Sequence, residues 1–194
     1  MRSPEATRTL AAGYHHDDVL AILLLQHARI QELFAEVKAA DGDAKQRSFD
    51  ELRRLLAVHE TAEEMIVRPA AKKTAGPAEA DARNDEERQA NKDLAMLEDL
   101  HAGAATFDAK FAAFEKAVLR HADREESEEF PALREGCTEA ERRKMGSRFR
   151  IAEKAAPTHP HPTAAGSPAA QWTVGPFAAL ADRIKDALSR DSGR

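Results

Sequence analysis

The sequence predicts an all-α protein, an antiparallel up-and-down four-helix bundle with a C-terminal helical extension. Three observations lead there. The 194 residues are rich in Ala, Leu, Glu, Lys and Arg, and only 5% are aromatic, a composition that favours helix. Four stretches repeat apolar residues at alternating steps of three and four, which gathers them on one helix face, and each stretch carries one histidine on that face. Finally, one motif occurs twice. His59 opens HETAEEMIVRPA and His121 opens HADREESEEFPA, so that His59, Glu63, Glu64, Pro69 and Ala70 match His121, Glu125, Glu126, Pro131 and Ala132.

Residues 1–16 carry no apolar period and are expected to form a flexible N-terminus, with Tyr14 and His15 the first candidates for contact with the fold. The bundle is expected over 17–135. Asp17 and Asp18 suit a helix cap and first turn, and behind them a first helix presents Leu20, Leu23, His27, Ile30, Phe34 and Val37, ending near Asp41-Gly42. Ser48-Phe-Asp-Glu51 has the form of a capping box and predicts the start of a second helix. That helix presents Phe49, Leu52, Leu56, His59, Glu63 and Ile66, and Pro69 is expected to end it. Residues 72–80, KKTAGPAEA, read as a turn. The third helix, roughly 80–102, carries Ala90, Leu94, Leu97 and His101 on one stripe, and Gly103 weakens its end. The fourth begins near Thr106 with Phe107, Phe111, Phe114, Val118, His121, Glu125 and Glu128 in step, and Pro131 is expected to stop it. Beyond the bundle, Thr138-Glu-Ala-Glu141 is another capping box and opens an additional helix over 136–156. A Pro-rich linker over 157–175 and an amphipathic helix over 176–190, with Phe177, Leu180, Ile184 and Leu188 inward, complete the chain.

The net charge of −5 is mild and no Lys/Arg stripe interleaves with aromatics, so nucleic acid is not expected as a partner. A single cysteine, Cys137, excludes a disulfide framework and fits a reducing cytoplasm. The longest apolar run, Val19 to Leu25, is too short to span a membrane, and no signal-like segment opens the sequence. A cytoplasmic protein without membrane contact is expected, and no protein partner can be named.

Glu63 and Glu125 point to chemistry. Each lies four residues after a histidine and therefore one turn along the same face. On an apolar seam an uncompensated carboxylate costs several kcal/mol. A seam glutamate near a helix end can reach solvent, and a lone buried histidine is commonly just hydrogen-bonded. Neither explains why His27, His59, His101 and His121 occupy four seams with a carboxylate at the same offset from two of them. A cation cage does, since a metal offsets the carboxylates and fixes the imidazoles. Imidazole with carboxylate suits iron, manganese or zinc rather than calcium, and no thiolate lies nearby to build a structural zinc site. Four imidazoles and two carboxylates suit two ions better than one. Two octahedral ions sharing both carboxylates and one oxide or hydroxide would keep about two positions open.

The series His27, His59 with Glu63, His101, and His121 with Glu125 resembles the hemerythrin family, specifically the bacterial hemerythrin-like HHE cation-binding domains, over residues from about 17 to 133. The resemblance implies a hemerythrin-like bundle holding an oxide- or hydroxide-bridged non-haem di-iron centre. In it His27, His59, His101 and His121 would be terminal ligands, and Glu63 and Glu125 the bridges. Two departures stand out. Oxygen-carrying members have a second histidine on the third helix where this chain has Leu97, and an aspartate at the fifth motif position where it has Glu126. A site lacking one imidazole is more open, which favours turnover over reversible carriage. Glu60 resembles an extra carboxylate of some iron-sensing relatives and could fill the vacancy, although helix geometry turns it about 100° from His59 toward a solvated face. The stretch from Ala156 to Pro162 resembles the extension of actinobacterial members, and its His159 and His161 are further candidate ligands, although loop histidines are more often solvated.

The resemblance implies a di-iron protein that binds or turns over dioxygen, peroxide or nitric oxide in oxidative or nitrosative stress or iron homeostasis, with weak catalase- or peroxidase-like activity an open question. The alternative is a non-enzymatic iron or oxygen sensor whose tail helix engages a partner. A ferritin-like carboxylate bundle fits poorly. Glu98 and His101 make its Glu-x-x-His step, but Val118 stands where the fourth helix would need a glutamate.

Overall fold

The computed structural model describes residues 2–98, 100, 102, 104, 106–155 and 175–191, with backbone alone at 79–80, 175–181 and 191. The helices are α1 (Pro4–Ala11), α2 (Val19–Ala39), α3 (Gly42–Ala62), α4 (Arg68–Thr74), α5 (Pro77–Glu98), α6 (Phe107–Arg124), α7 (Phe130–Gly136), α8 (Glu139–Ala155) and α9 (Gly175–Asp191). A π-turn over Glu63–Val67 joins α3 to α4, and another over Glu125–Glu129 joins α6 to α7. The bundle is four rods: α2, α3 with α4, α5, and α6 with α7.

The π-turns correct the expectation that Pro69 and Pro131 stop their helices. Each proline falls in the first turn of the continuing helix, where its missing N–H is not needed. Just before it the backbone switches to a longer bond, from Arg68 N–H to the Glu63 carbonyl and from Phe130 N–H to the Glu125 carbonyl. A π-turn adds a residue and so advances the buried face by one position. That is why Glu129 is fully buried and Glu128, expected on the seam, is exposed.

Other boundaries also move. Residues 1–16, expected to be a flexible end, contain α1, capped by the Ser3 hydroxyl on Ala6 N–H, with Thr7 and Ala11 buried. The second helix begins at Gly42, six residues before Ser48. Lys45 anchors that early turn, its Nζ 2.6 Å from Asp108 and 5.6 Å from the centre of the Phe107 ring. The turn expected over 72–80 shrinks to Ala75-Gly76, where φ of +102° at Gly76 suits a residue without Cβ. Asp18 caps α2 through Leu20 N–H, and Thr138 and Glu141 cap α8 reciprocally, as their patterns predict.

The core has two apolar layers. One holds Phe34, Phe49, Leu52, Leu94, Leu97, Phe107, Phe111 and Phe114, with Phe107 stacked on Phe111 at 5.3 Å. The other holds Leu20, Leu23, Ile66, Val67, Phe130 and Leu133, joined by Phe149 of α8 and Ile184 and Leu188 of α9. The extension therefore completes the core. It docks closely: a Cβ on Gly146 would lie 2.0 Å from the Asp17 carbonyl oxygen, and Arg142 reaches Asp18 at 2.8 Å. No helix among the described residues is long and apolar enough to cross a membrane.

Candidate metal centre

Between the two layers lies a polar one. The seams that supply Leu23 and Ile30, or Leu56 and Ile66, also carry His27, His59 and Glu63 inward, and α6 does the same with His121 and Glu125. Glu63 and Glu125 have no solvent exposure at all, so the solvated-end explanation fails for both.

The three imidazoles share one arrangement. Each places Nδ1 against an acceptor outside the cage and turns Nε2 inward. The Nδ1 of His27 meets Glu126 at 3.0 Å, that of His59 meets the Gln26 amide oxygen at 2.7 Å, and that of His121 meets Glu86 at 3.1 Å. Outer acceptors of this kind fix the tautomer and orientation of a metal-binding imidazole. Arg2, ahead of α1, in turn holds Glu126 at 2.9 Å. Inside the cage, Glu125 reaches two imidazoles with different oxygens, 3.3 Å to Nε2 of His27 and 3.0 Å to Nε2 of His121. Glu63 approaches Nε2 of His59 at 3.6 Å.

Ligand-capable atoms converge in three overlapping sets, each within 4.8 Å: His27, His59 and Glu125; Glu60, Glu63, Glu87 and His121; and Glu63, Glu125 and Glu129. Glu63 and Glu125 meet in the third set and separate into the other two. Both oxygens of each, Nε2 of His27 and of His121, and one oxygen each of Glu60 and Glu129 are buried without a hydrogen-bond partner. Buried polar atoms gathered at this density are the surroundings a cation would satisfy. Arg68, itself buried, donates to Glu129 at 2.6 Å and to Glu87, and lies 3.6 Å from Glu125.

Without a cation this charge is balanced by protons. Burial and the neighbouring Glu125 raise Glu63 well above the usual carboxylate range. Burial and Glu60 push Glu87 up to about 9, and burial and Glu125 push Glu129 up to about 7. Burial opposes charge on His27, but Glu125 and Glu126 raise it to about 9. Burial would also raise Glu125, yet His121 and His27 pull it well below its ordinary value. Burial and the charge on His27 lower His59 to about 3.

The model of the hemerythrin HHE cation-binding domain matches residues 18–133. The chain belongs to the hemerythrin family. It is 29% identical over 168 residues to an uncharacterised hemerythrin-like protein of Schizosaccharomyces pombe, an alignment covering 84% of this chain and 83% of the relative. Its fold resembles the crystal structure of a hemerythrin HHE cation-binding domain-containing protein from Mycobacterium kansasii, with a TM-score of 0.63 and 22% identity over 84% of this chain and 96% of that one.

Of the sequence-predicted residues, this hemerythrin-like cation-binding domain gathers His27, His59, Glu63, His121 and Glu125. Glu60, expected on a solvated face, is 8% exposed and sits in the set with Glu63 and His121. The stacking of four helices widens the buried sector enough to include it. His101, His159 and His161 lie outside the described residues, as does most of the Pro-rich linker.

Among its described residues, the third rod brings two carboxylates to His121. Leu97, taken as the position of a missing imidazole, is 1% exposed within the phenylalanine layer, and Glu98 pairs with Arg53 at 3.0 Å. Glu86 and Glu87 face His121. The hairpin of α5 and α6 explains this. His121 lies several turns beyond the connection, so it faces residues a similar distance before it. Glu87, Glu129 and Arg68 were missed from the sequence. Counting back through the hairpin could have found Glu87. The other two needed the π-turns, whose only sign was a proline ten residues after each motif histidine.

Proposed function

We propose that this protein is a non-haem di-iron hemerythrin-like protein that binds or turns over dioxygen, peroxide or nitric oxide, in oxidative or nitrosative stress or iron homeostasis. The observation that carries the reading is the pair Glu63 and Glu125, which meet in one all-carboxylate set and each belong to a second set that contains histidine. His27, His59, Glu63, His101, His121 and Glu125, joined by Glu60 and Glu87, would hold two ions. When bound, iron supplies electron transfer to small oxygen or nitrogen ligands at positions the protein leaves open. The chain's own part is to orient three imidazoles through Glu126, Gln26 and Glu86, and to limit what enters.

The cavities support a small ligand. A void of about 10 Å³ adjoins His27, His59 and His121 and is walled by Ile30, Leu56 and Val118, enough for one water-sized molecule. Outside it a cleft of about 230 Å³ runs between α5 and α6 past Glu86, Gln89 and Arg120. Glu60, Val118 and His121 border both spaces, so the cleft reaches the wall of the void beside the histidines. The sensor alternative requires α9 to leave the core where Ile184 and Leu188 are buried. Anaerobic reconstitution with iron(II), elemental analysis, and absorption spectra through oxygen and then peroxide exposure test the proposal. Expected are about two irons per chain and a charge-transfer band that changes with each ligand. An intact fold that retains no iron overturns it.

A further inference from the structure

The outer acceptors of the three imidazoles are not chemically equivalent. His27 and His121 face carboxylates, Glu126 and Glu86. An ionised carboxylate only accepts, so each of those Nδ1 atoms must carry the proton. His59 faces the amide of Gln26, a group with a donor end and an acceptor end of nearly the same shape. That partner by itself leaves the choice of nitrogen open. Reversed, the amide would give its N–H to Nδ1, and the His59 proton would move to Nε2, the nitrogen turned toward Glu63.

The other end of the amide removes the ambiguity. Nε2 of Gln26 donates to Oε1 of Glu153 on α8 at 2.7 Å. A reversed amide would set two acceptors against each other there. Gln26 is 7% exposed and His59 2%, so water reaches their contact poorly, while Glu153 itself is half-buried. Glu153 lies beyond the matched domain, on the helix fixed against α2 by Gly146 and Arg142.

We propose that Glu153 is a positioning residue for the metal centre, locking the Gln26 amide so that His59 keeps its proton on Nδ1 and presents Nε2 to the cation. The inference rests on the metal-site reading above and extends the centre into the C-terminal extension. A purely structural role for Glu153 would make α8 looser and leave the His59 tautomer unchanged.

The test uses the full chain in two arms. In the first, two-bond proton–nitrogen correlation spectra of metal-free, ¹⁵N-histidine-labelled protein read the tautomer of His59. The parent should show Nδ1–H alone, Glu153→Ala a mixture, and Glu153→Gln an intermediate population with α8 packing kept. Adding Gln26→Glu to Glu153→Ala should restore Nδ1–H, because a carboxylate then accepts directly. In the second arm, zinc(II) competition against a chromophoric chelator should show affinity about 10-fold weaker in Glu153→Ala and near parental in the double variant. An unchanged tautomer in Glu153→Ala, or a double variant as weak as the single one, overturns the proposal. A parent chain that binds neither zinc nor iron defeats the metal-site reading instead, while the metal-free tautomer arm still decides the role of Glu153.

Discussion

Removing metal should make the protein's stability fall steeply with pH, because protons then replace the cation. The sign follows group by group. Glu87, pushed up to about 9 by burial and Glu60, holds in the folded state a proton that the unfolded chain releases near 4.5. Its contribution therefore declines as pH rises from about 4.5 to about 9, by about 3 kcal/mol at pH 7. His27, raised to about 9 by Glu125 and Glu126 against the opposing effect of burial, contributes stability that is complete below about 6.5 and lost as pH rises through about 9. Both act with the same sign between pH 7 and 9, together on the order of 2 kcal/mol per pH unit. His59, lowered to about 3, acts in the opposite sense, but only below 6.5. A bound cation displaces these protons, so its affinity and its stabilising effect grow with pH. Thermal unfolding at pH 6, 7 and 8.5, with chelator and with zinc(II) as a redox-silent cation, reads the difference. The gap between the two midpoints should widen with pH, chiefly because the chelated midpoint falls. A chelated midpoint that is flat or rising from pH 7 to 8.5 would refute the view that these carboxyls are buried and proton-balanced without metal.

Four substitutions probe the polar layer and its apolar neighbour. Glu87→Gln should lower iron content from about two to about one per chain, read by elemental analysis beside His101→Ala. Equal content in parent and Glu87→Gln, with loss only in His101→Ala, would exclude Glu87 as a ligand and keep His101. Arg68→Met removes the hydrogen bonds to Glu87 and Glu129 and the positive charge beside the ionised Glu125, and should cost the metal-free protein about 3 kcal/mol, a fall of about 6–12 °C in midpoint at this size. Leu97→His puts a polar ring into the phenylalanine layer and should destabilise by about 2–4 kcal/mol, with iron content and peroxide decomposition unchanged. Faster or slower peroxide turnover in a folded Leu97→His variant would place that position nearer the centre than the structure does.

How much was legible from the sequence depended on the range of each interaction. The seams from Leu20 to Val37, from Phe49 to Ile66 and from Phe107 to Glu125 are properties of single helices, whose period places every third or fourth residue on one face whatever it packs against. The repeated spacing of His59 to Glu63 and His121 to Glu125 therefore announced both a buried carboxylate pair and a cation to offset it. The capping pattern at Thr138 was equally local. The same form at Ser48 misled, since Lys45 reaches across to Phe107 and Asp108 and draws the helix six residues further back.

Everything that depended on which helices face each other waited for the tertiary structure. Glu87 sits in a charged run with no local mark, and only the pairing of α5 with α6 brings it to His121. The π-turns set Glu129 inward and Glu128 outward, a change of one residue that no α-helical period contains. The Glu153–Gln26–His59 chain joins residues 127 and 33 positions apart. Helix period is local and is written in adjacent residues. The partner of a buried charge is chosen by packing between distant segments, and the metal layer was decided there.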